Sequence, residues 1–204
     1  MFFRLSPDYI PSQTQSESAY PMITSTDRYP DLDETLPAPA KACRAGILTR
    51  KGTVAAPYGL LVHSPDVANA FDALSTALWQ GDLPRRVTEG LFLWNARRHQ
   101  CRYQWVRHVD KAVEAGLVID VLDALKSGVE PPRDADLAFH AAWQLAETLA
   151  QSGPVDDTVF GGLKQVFSDR AIAELTAFCG FASIVSNTLR VRQPPVPSSE
   201  RAPF

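Results

Sequence analysis

Sixteen prolines are spread unevenly along the 204-residue chain: six lie in residues 1–40, four in 191–204, and only six in the 150 residues between. Proline lacks an amide hydrogen and fixes φ, so it breaks helix interiors and interior strands. Regular, buried structure is therefore expected in the middle. The ends read as a flexible or extended N-terminal arm over 1–40 and a disordered C-terminal tail over 191–204. A body spanning 41–190 buries roughly two-thirds of its unfolded surface and folds without disulfides or metals. At 45% hydrophobic and 21% charged residues the composition is that of one globular domain.

Within that body the apolar residues recur at three- and four-residue spacing, with punctuation at the right places. Residues 64–81 offer Ser64 as cap, Pro65 in the first turn, Gly81 past the end, and Val67, Phe71, Leu74 and Leu78 as the apolar stripe. Pro84 opens a helix to about 99, and another runs from Cys101 to Gly116. A short one spans 117–128, and three more are expected over 134–153, 156–167 and 169–190. The last is apolar nearly all round. Glu174, Thr176, Ser183, Ser186 and Asn187 interrupt it, so it reads as a helix buried in the core or a subunit interface and not as a membrane span. No useful strand alternation, repeat or glycine-rich phosphate loop is seen, and the fold class is all-α.

A net charge of −3 and the absence of any basic block speak against a nucleic-acid partner. Cys43, Cys101 and Cys179 are odd in number and widely spaced, which fits a reducing, cytoplasmic setting better than a disulfide framework. The first 21 residues form a polar leader with no apolar core of secretory type, and Met22 is an alternative start.

Chemistry concentrates in residues 85–117. At 100° per residue Arg85, Glu89, Phe92, Leu93 and Ala96 share one arc, so Glu89 sits in an apolar stripe. A carboxylate there must be paired, hydrogen-bonded or protonated, and Arg85 is one turn away. On the next helix Cys101, Gln104, Trp105, His108 and Ala112 share a face, while Tyr103 points away from His108. Two readings stand. Glu89–Arg85 is a helix anchor and His108 a satisfied core histidine, or Glu89 and His108 form a proton-transfer pair in an apolar pocket. Cys101 is either an inert buried thiol or, at a helix N-terminus, a thiolate. His140, on a face with Gln144 and Glu147, reads as an interface histidine. His63 reads as a turn residue, and His99 with Cys101 lacks further ligands for zinc.

Glu89, Cys101 twelve residues on, then Gln104 and His108 resemble the active-site pattern of the AhpD-like and carboxymuconolactone decarboxylase superfamily. The likeness extends over about 45–190 through HSPDVANAF (63–71), LPRRVTEGLFLWNA (83–96), CRYQWVRHVDKAVEAGL (101–117) and FSDRAIAELTAFCGFASIVSNTL (167–189). In the peroxidase branch a second cysteine follows three residues after the first, and here that position is Gln104, which cannot form the disulfide. The resemblance therefore implies an AhpD-like helical domain of the branch lacking the redox pair, assembled as a homo-trimer or homo-hexamer. It implies a cofactor-independent lyase or isomerase for a small carboxylic acid or lactone. Glu89 and His108 would transfer protons, and Arg85, Tyr103, Gln104 and Trp105 would bind substrate. Neither metal nor cofactor, nucleic acid nor membrane is expected. A one-cysteine alkylhydroperoxidase-type peroxidase through Cys101 and a non-catalytic oligomeric binding protein are the alternatives.

Overall fold

A computed structural model of the protein describes residues 27–29, 35–197 and 202–204. Among these residues there are nine α-helices and no strand: α1 (Ala38–Lys51), α2 (Tyr58–Leu61), α3 (Pro65–Trp79), α4 (Arg85–Arg98), α5 (Arg102–Glu114), α6 (Ile119–Ser127), α7 (Leu137–Leu149), α8 (Asp157–Val166) and α9 (Asp169–Arg192). The architecture is all-α.

Most of the arm expected over 1–40 lies outside the described residues, but its last turn is helical. Pro39 sits in the first turn of α1, where an amide hydrogen has no partner to lose, so the prolines at 37 and 39 start a helix instead of preventing one. Asp27–Tyr29 is docked: the Arg28 amide donates to the Arg192 carbonyl (2.9 Å), and the buried Arg192 guanidinium donates to both Asp27 oxygens. At the other end, Phe204 packs edge-on against Trp105, at 5.6 Å between ring centroids.

Helix boundaries follow local chemistry. Asp136, Asp156 and Ser168 accept amide hydrogens at the starts of α7, α8 and α9. Gly128 closes α6 in the left-handed region at φ 71°. Ser64, expected to cap α3, makes no such side-chain bond. The stripe expected on that helix is also displaced. Val67 is 52% exposed, and the buried face is Ala68, Phe71, Asp72, Ser75 and Leu78. Apolar pattern alone does not place Asp72 inside; its partners do, as described below.

The centre of the molecule is α4. All ten residues from Val87 to Ala96 are buried, against α5, α6, α7 and α9. Gly90 lets the Phe139 ring of α7 lie directly on the α4 backbone, where a Cβ would overlap the ring. The helix enclosed all round is thus α4, not α9. By length and composition alone, α9 qualifies as a membrane span, yet half of its apolar stretch is buried in the protein. Leu175, Phe178, Phe181, Ala182, Val185 and Leu189 face the core, whereas Ala177, Gly180 and Ile184 face outward.

Candidate functional site

Helices α4 and α5 follow one another through a tight corner at His99–Cys101, with Gln100 at φ 52°, and pack side by side. That return brings Glu89 and His108 together from nineteen residues apart. Glu89 Oε2 lies 2.7 Å from His108 Nδ1. Glu89 is wholly buried, and the His108 side chain keeps 15% exposure. Phe92, one turn beyond Glu89, stacks on the imidazole with ring centroids 4.1 Å apart. With Glu89 as carboxylate, Nδ1–H donates to it, which fixes the tautomer and leaves Nε2 with a free lone pair.

Arg85 completes the cluster from the other side. Its Nη2 is 3.0 Å from Glu89 Oε1, yet that oxygen has no hydrogen bond, so Arg85 compensates the charge without an aligned donor. The guanidinium carbon sits 3.7 Å above the Trp79 ring, and the side chain is about half exposed. His108 titrates below the ordinary value of 6.5. Loss of hydration is the largest cause; Glu89 opposes it, and Lys111 and Arg85 add to it.

The exposed edge of His108 faces a pocket of about 440 Å³. Its walls are apolar and aromatic, with Phe71, Trp79, Phe92 and Phe181 among them. Lys51, Arg85, Arg107 and Lys111 also line it, and among the described residues no aspartate or glutamate does. Glu89 lies behind His108 and does not reach the cavity, so the carboxylate acts on a ligand only through the imidazole or Arg85. On the far wall, Tyr58 donates to Asp72 (2.9 Å), which also pairs with Lys51 (3.2 Å) and Arg50 (2.9 Å). Burial raises the Asp72 carboxyl, but these partners outweigh it and hold the group below 3.8. Burial and the bond to Asp72 push Tyr58 up.

Gln104 lies at the pocket's inner end, held on both amide atoms. Its nitrogen donates to the Phe92 carbonyl (3.2 Å), and its oxygen accepts from Ser186 (2.5 Å), which in turn accepts from Asn95 (2.6 Å). This buried chain ties α4, α5 and α9 together.

The geometry departs from the helical wheel at three residues. Cys101 shares a helix face with His108 on a wheel, but it opens toward a separate groove lined by Asn187, Arg190 and Pro194 and does not line the His108 pocket. Its thiol is buried and pushed above 9.0, because desolvation outweighs the bond from the Gln104 backbone N–H. The helix N-terminus does not make it a thiolate. Trp105 is fully buried on the opposite side, against Phe204, and walls no part of the pocket. Tyr103, which the wheel turned away, does line the pocket. Residues not singled out beforehand are Lys51, Tyr58, Asp72, Arg107 and Lys111. The pair Arg107 and Lys111 was legible as a four-residue repeat flanking His108. Lys51 and Tyr58 come from distant helices and carried no local signal.

His140 is buried elsewhere, with Nδ1 3.0 Å from the Pro131 carbonyl, in a depression shared with Gln144. Glu147, expected on the same face, instead accepts from the Trp94 indole (2.6 Å). No group of three or more potential metal-ligating side chains occurs among the described residues.

Neither a family model nor a curated protein matches the sequence. Solved structures do match by fold. One is the AhpD core of an uncharacterised peroxidase-related protein from Ralstonia eutropha JMP134, at a TM-score of 0.61 and 19% identity, covering 87% of this chain and 96% of that one. Another is the debrominase Bmp8, a cysteine-to-alanine variant in complex with 2,3,4-tribromopyrrole, at 0.59 and 16% identity, covering 80% and 88% respectively. The chain has the AhpD-like all-α fold.

Proposed function

We propose that the protein is a cofactor-independent lyase or isomerase of the carboxymuconolactone decarboxylase type, acting on a small carboxylic acid or lactone. The observation that carries this reading is an imidazole anchored at Nδ1 by a wholly buried carboxylate, with its exposed edge in an aromatic pocket ringed by cations. His108 Nε2 is the proton-transfer atom, Glu89 fixes its tautomer and stabilises the imidazolium, and Phe92 holds the ring plane. Arg85 binds the substrate carboxylate, and Tyr103 lines the binding site. Gln104 keeps its place as a binding residue at the inner end of the pocket.

In isomerisation, Nε2 removes a proton from the carbon between a carbonyl and a double bond. The electron pair delocalises onto the carbonyl oxygen, and the same proton returns to the far end of the conjugated system. In decarboxylation of a lactone acid, the bond to the departing carboxylate breaks, its electrons pass to the lactone carbonyl, and the imidazolium protonates the resulting carbanion centre. Neither route needs an external oxidant or reductant. A protein of this fold solved with tribromopyrrole supports the capacity of the fold to hold a small planar ring.

The one-cysteine peroxidase reading is weakened by the buried, proton-holding state of Cys101 and its separation from the His108 pocket. The proposal includes a homo-trimer or homo-hexamer, with the outward face of α9 as available surface, in a cytoplasmic setting. The test is a panel of unsaturated acids and lactone carboxylates, followed for carbon dioxide release and double-bond migration. Turnover lost in His108→Gln and kept in Cys101→Ser supports the assignment. Turnover that survives in His108→Gln, or is lost only in Cys101→Ser, overturns it.

A further inference from the structure

Arg85 occupies an unusual position between the buried dyad and the pocket. It contributes the positive charge nearest Glu89 Oε1, but without a hydrogen bond, although a guanidinium carries five donors and the oxygen is wholly buried. The side chain is half exposed, lines the pocket and stacks on the Trp79 face. The Trp79 face holds the guanidinium by cation–π attraction at 3.7 Å and leaves its N–H edge unengaged by the ring. A ligand carboxylate in the pocket offers Arg85 the bidentate geometry that Glu89 does not.

We infer that Arg85 couples ligand charge to the protonation of His108: an anionic ligand draws Arg85 away from Glu89, and His108 then takes up a proton from solvent. The charged and titratable groups around the imidazole fix the sign. From α4 come Glu89 and Arg85, from α5 Arg107 and Lys111, from α1 Lys51, and from α2 Tyr58, while α3 and α9 present Phe71, Trp79, Phe181 and Val185 to the pocket. Four of these groups are cations, one of which, Lys51, is already paired with the buried Asp72 of α3, and the carboxylate in contact with the imidazole is Glu89. Loss of hydration is the first cause that lowers the His108 midpoint in the free protein; Lys111 and Arg85 add to it, and Arg85 also offsets Glu89, the group that favours imidazolium. Once Arg85 pairs with the ligand, those two charges cancel and Glu89 faces His108 with one uncompensated negative charge. Proton uptake follows, and it happens only when a carboxylate is bound. The site thus arms its acid in response to the substrate's charge, which suits the decarboxylation route, where the imidazolium donates, and not the isomerisation route, where Nε2 must start unprotonated; a neutral analogue of the same shape does not trigger it.

This rests on the pocket being a carboxylate site, as proposed above, but not on turnover. Benzoate and its neutral counterpart benzamide serve as probes. Calorimetric titration at pH 6.5 in two buffers of different ionisation heat reads protons taken up, and imidazole nitrogen shifts read the state of His108. The wild type is expected to bind benzoate about tenfold or more tightly than benzamide, with proton uptake for benzoate alone. Arg85→Gln and Arg85→Met are expected to lose both the preference and the excess uptake. Their unliganded His108 should already titrate higher than in the wild type. Equal affinity for the two probes, binding without uptake, or uptake undiminished in both variants overturns the inference. The last outcome would mean that the ligand's charge alone moves the proton. Coupled uptake in a protein that transfers no proton to carbon leaves the inference standing and removes the proposed reaction instead.

Discussion

Replacing Glu89 by Gln removes one charge and almost no volume from the centre of the site, so its effect reads the electrostatic tie to His108 directly. The 2.7 Å contact between Oε2 and Nδ1 places the two charge centres about 4 Å apart, which at an effective dielectric constant of about 20 corresponds to roughly 4 kcal/mol of attraction in the ionised pair. The loss falls on the imidazolium, because the neutral ring still hydrogen-bonds an amide. His108 already titrates below the ordinary range through loss of hydration, and Glu89 is the first group opposing that shift. Glu89→Gln therefore lowers the midpoint further. Roughly 4 kcal/mol is about a thousandfold in the protonation equilibrium as an upper bound, so at the pH where the wild type is half protonated the variant should hold at least about tenfold less imidazolium. The assay is a pH series of imidazole nitrogen and carbon shifts with selectively labelled histidine. The three other histidines, at 63, 99 and 140, act as internal controls. An unchanged or raised His108 midpoint would refute the claim that the carboxylate sustains the imidazolium.

Further outcomes follow from the same geometry. In the native protein a disulfide reagent should label Cys101 slowly at pH 8, since burial holds its thiol protonated, and peroxide should leave no sulfenic acid there; fast labelling would contradict the burial. Gln104→Ala strands the Ser186 hydroxyl and the Phe92 carbonyl, and should lower stability by about 1–3 kcal/mol in a denaturant titration. Acid should destabilise the fold in two stages. His108 is depressed in the folded state, so the unfolded chain binds more protons, and stability declines as pH falls below 6.5 until the folded-state midpoint is passed. Asp27, Asp72 and Asp136 are also depressed, so their contribution is present above 3.8 and is lost as pH falls through their folded-state values. His108→Gln should shrink the first stage, leaving the part due to His99, which burial also lowers, and should leave the second stage unchanged in thermal melts taken across pH.

Much of the helical framework was legible because its signals are local. Caps at Asp136, Asp156 and Ser168 and the left-handed Gly128 sit where residue type alone places them. The Glu89–His108 contact was legible because both residues lie on inward arcs of consecutive helices, and two antiparallel neighbours must bring such arcs together. What escaped was non-local. Asp72 looks like a solvent residue until Tyr58, Arg50 and Lys51 converge on it from α1 and α2. Cys101 and His108 share a wheel position but not a cavity, because Cys101 stands before the first turn of α5, outside the regular helix. Trp105 and Tyr103 exchanged expected places for a related reason: burial against α4 and the chain's last residue, not helical angle alone, decides which ring meets the pocket. The helix enclosed on every side, α4, carries Arg, Glu, Asn and Thr, and its polar groups disguise in composition what packing makes of it.

The central claim is that His108 moves protons at a carbon atom of a bound acid. Solvent-deuterium incorporation tests it most directly: small unsaturated acids and lactone carboxylates are incubated with protein in deuterated buffer and read by proton NMR. Deuterium should appear at the activated carbon with the wild type and with Cys101→Ser, and fall by about two to four orders of magnitude in His108→Gln. Exchange by His108→Gln at the wild-type rate, or none by the wild type across the panel, would contradict it.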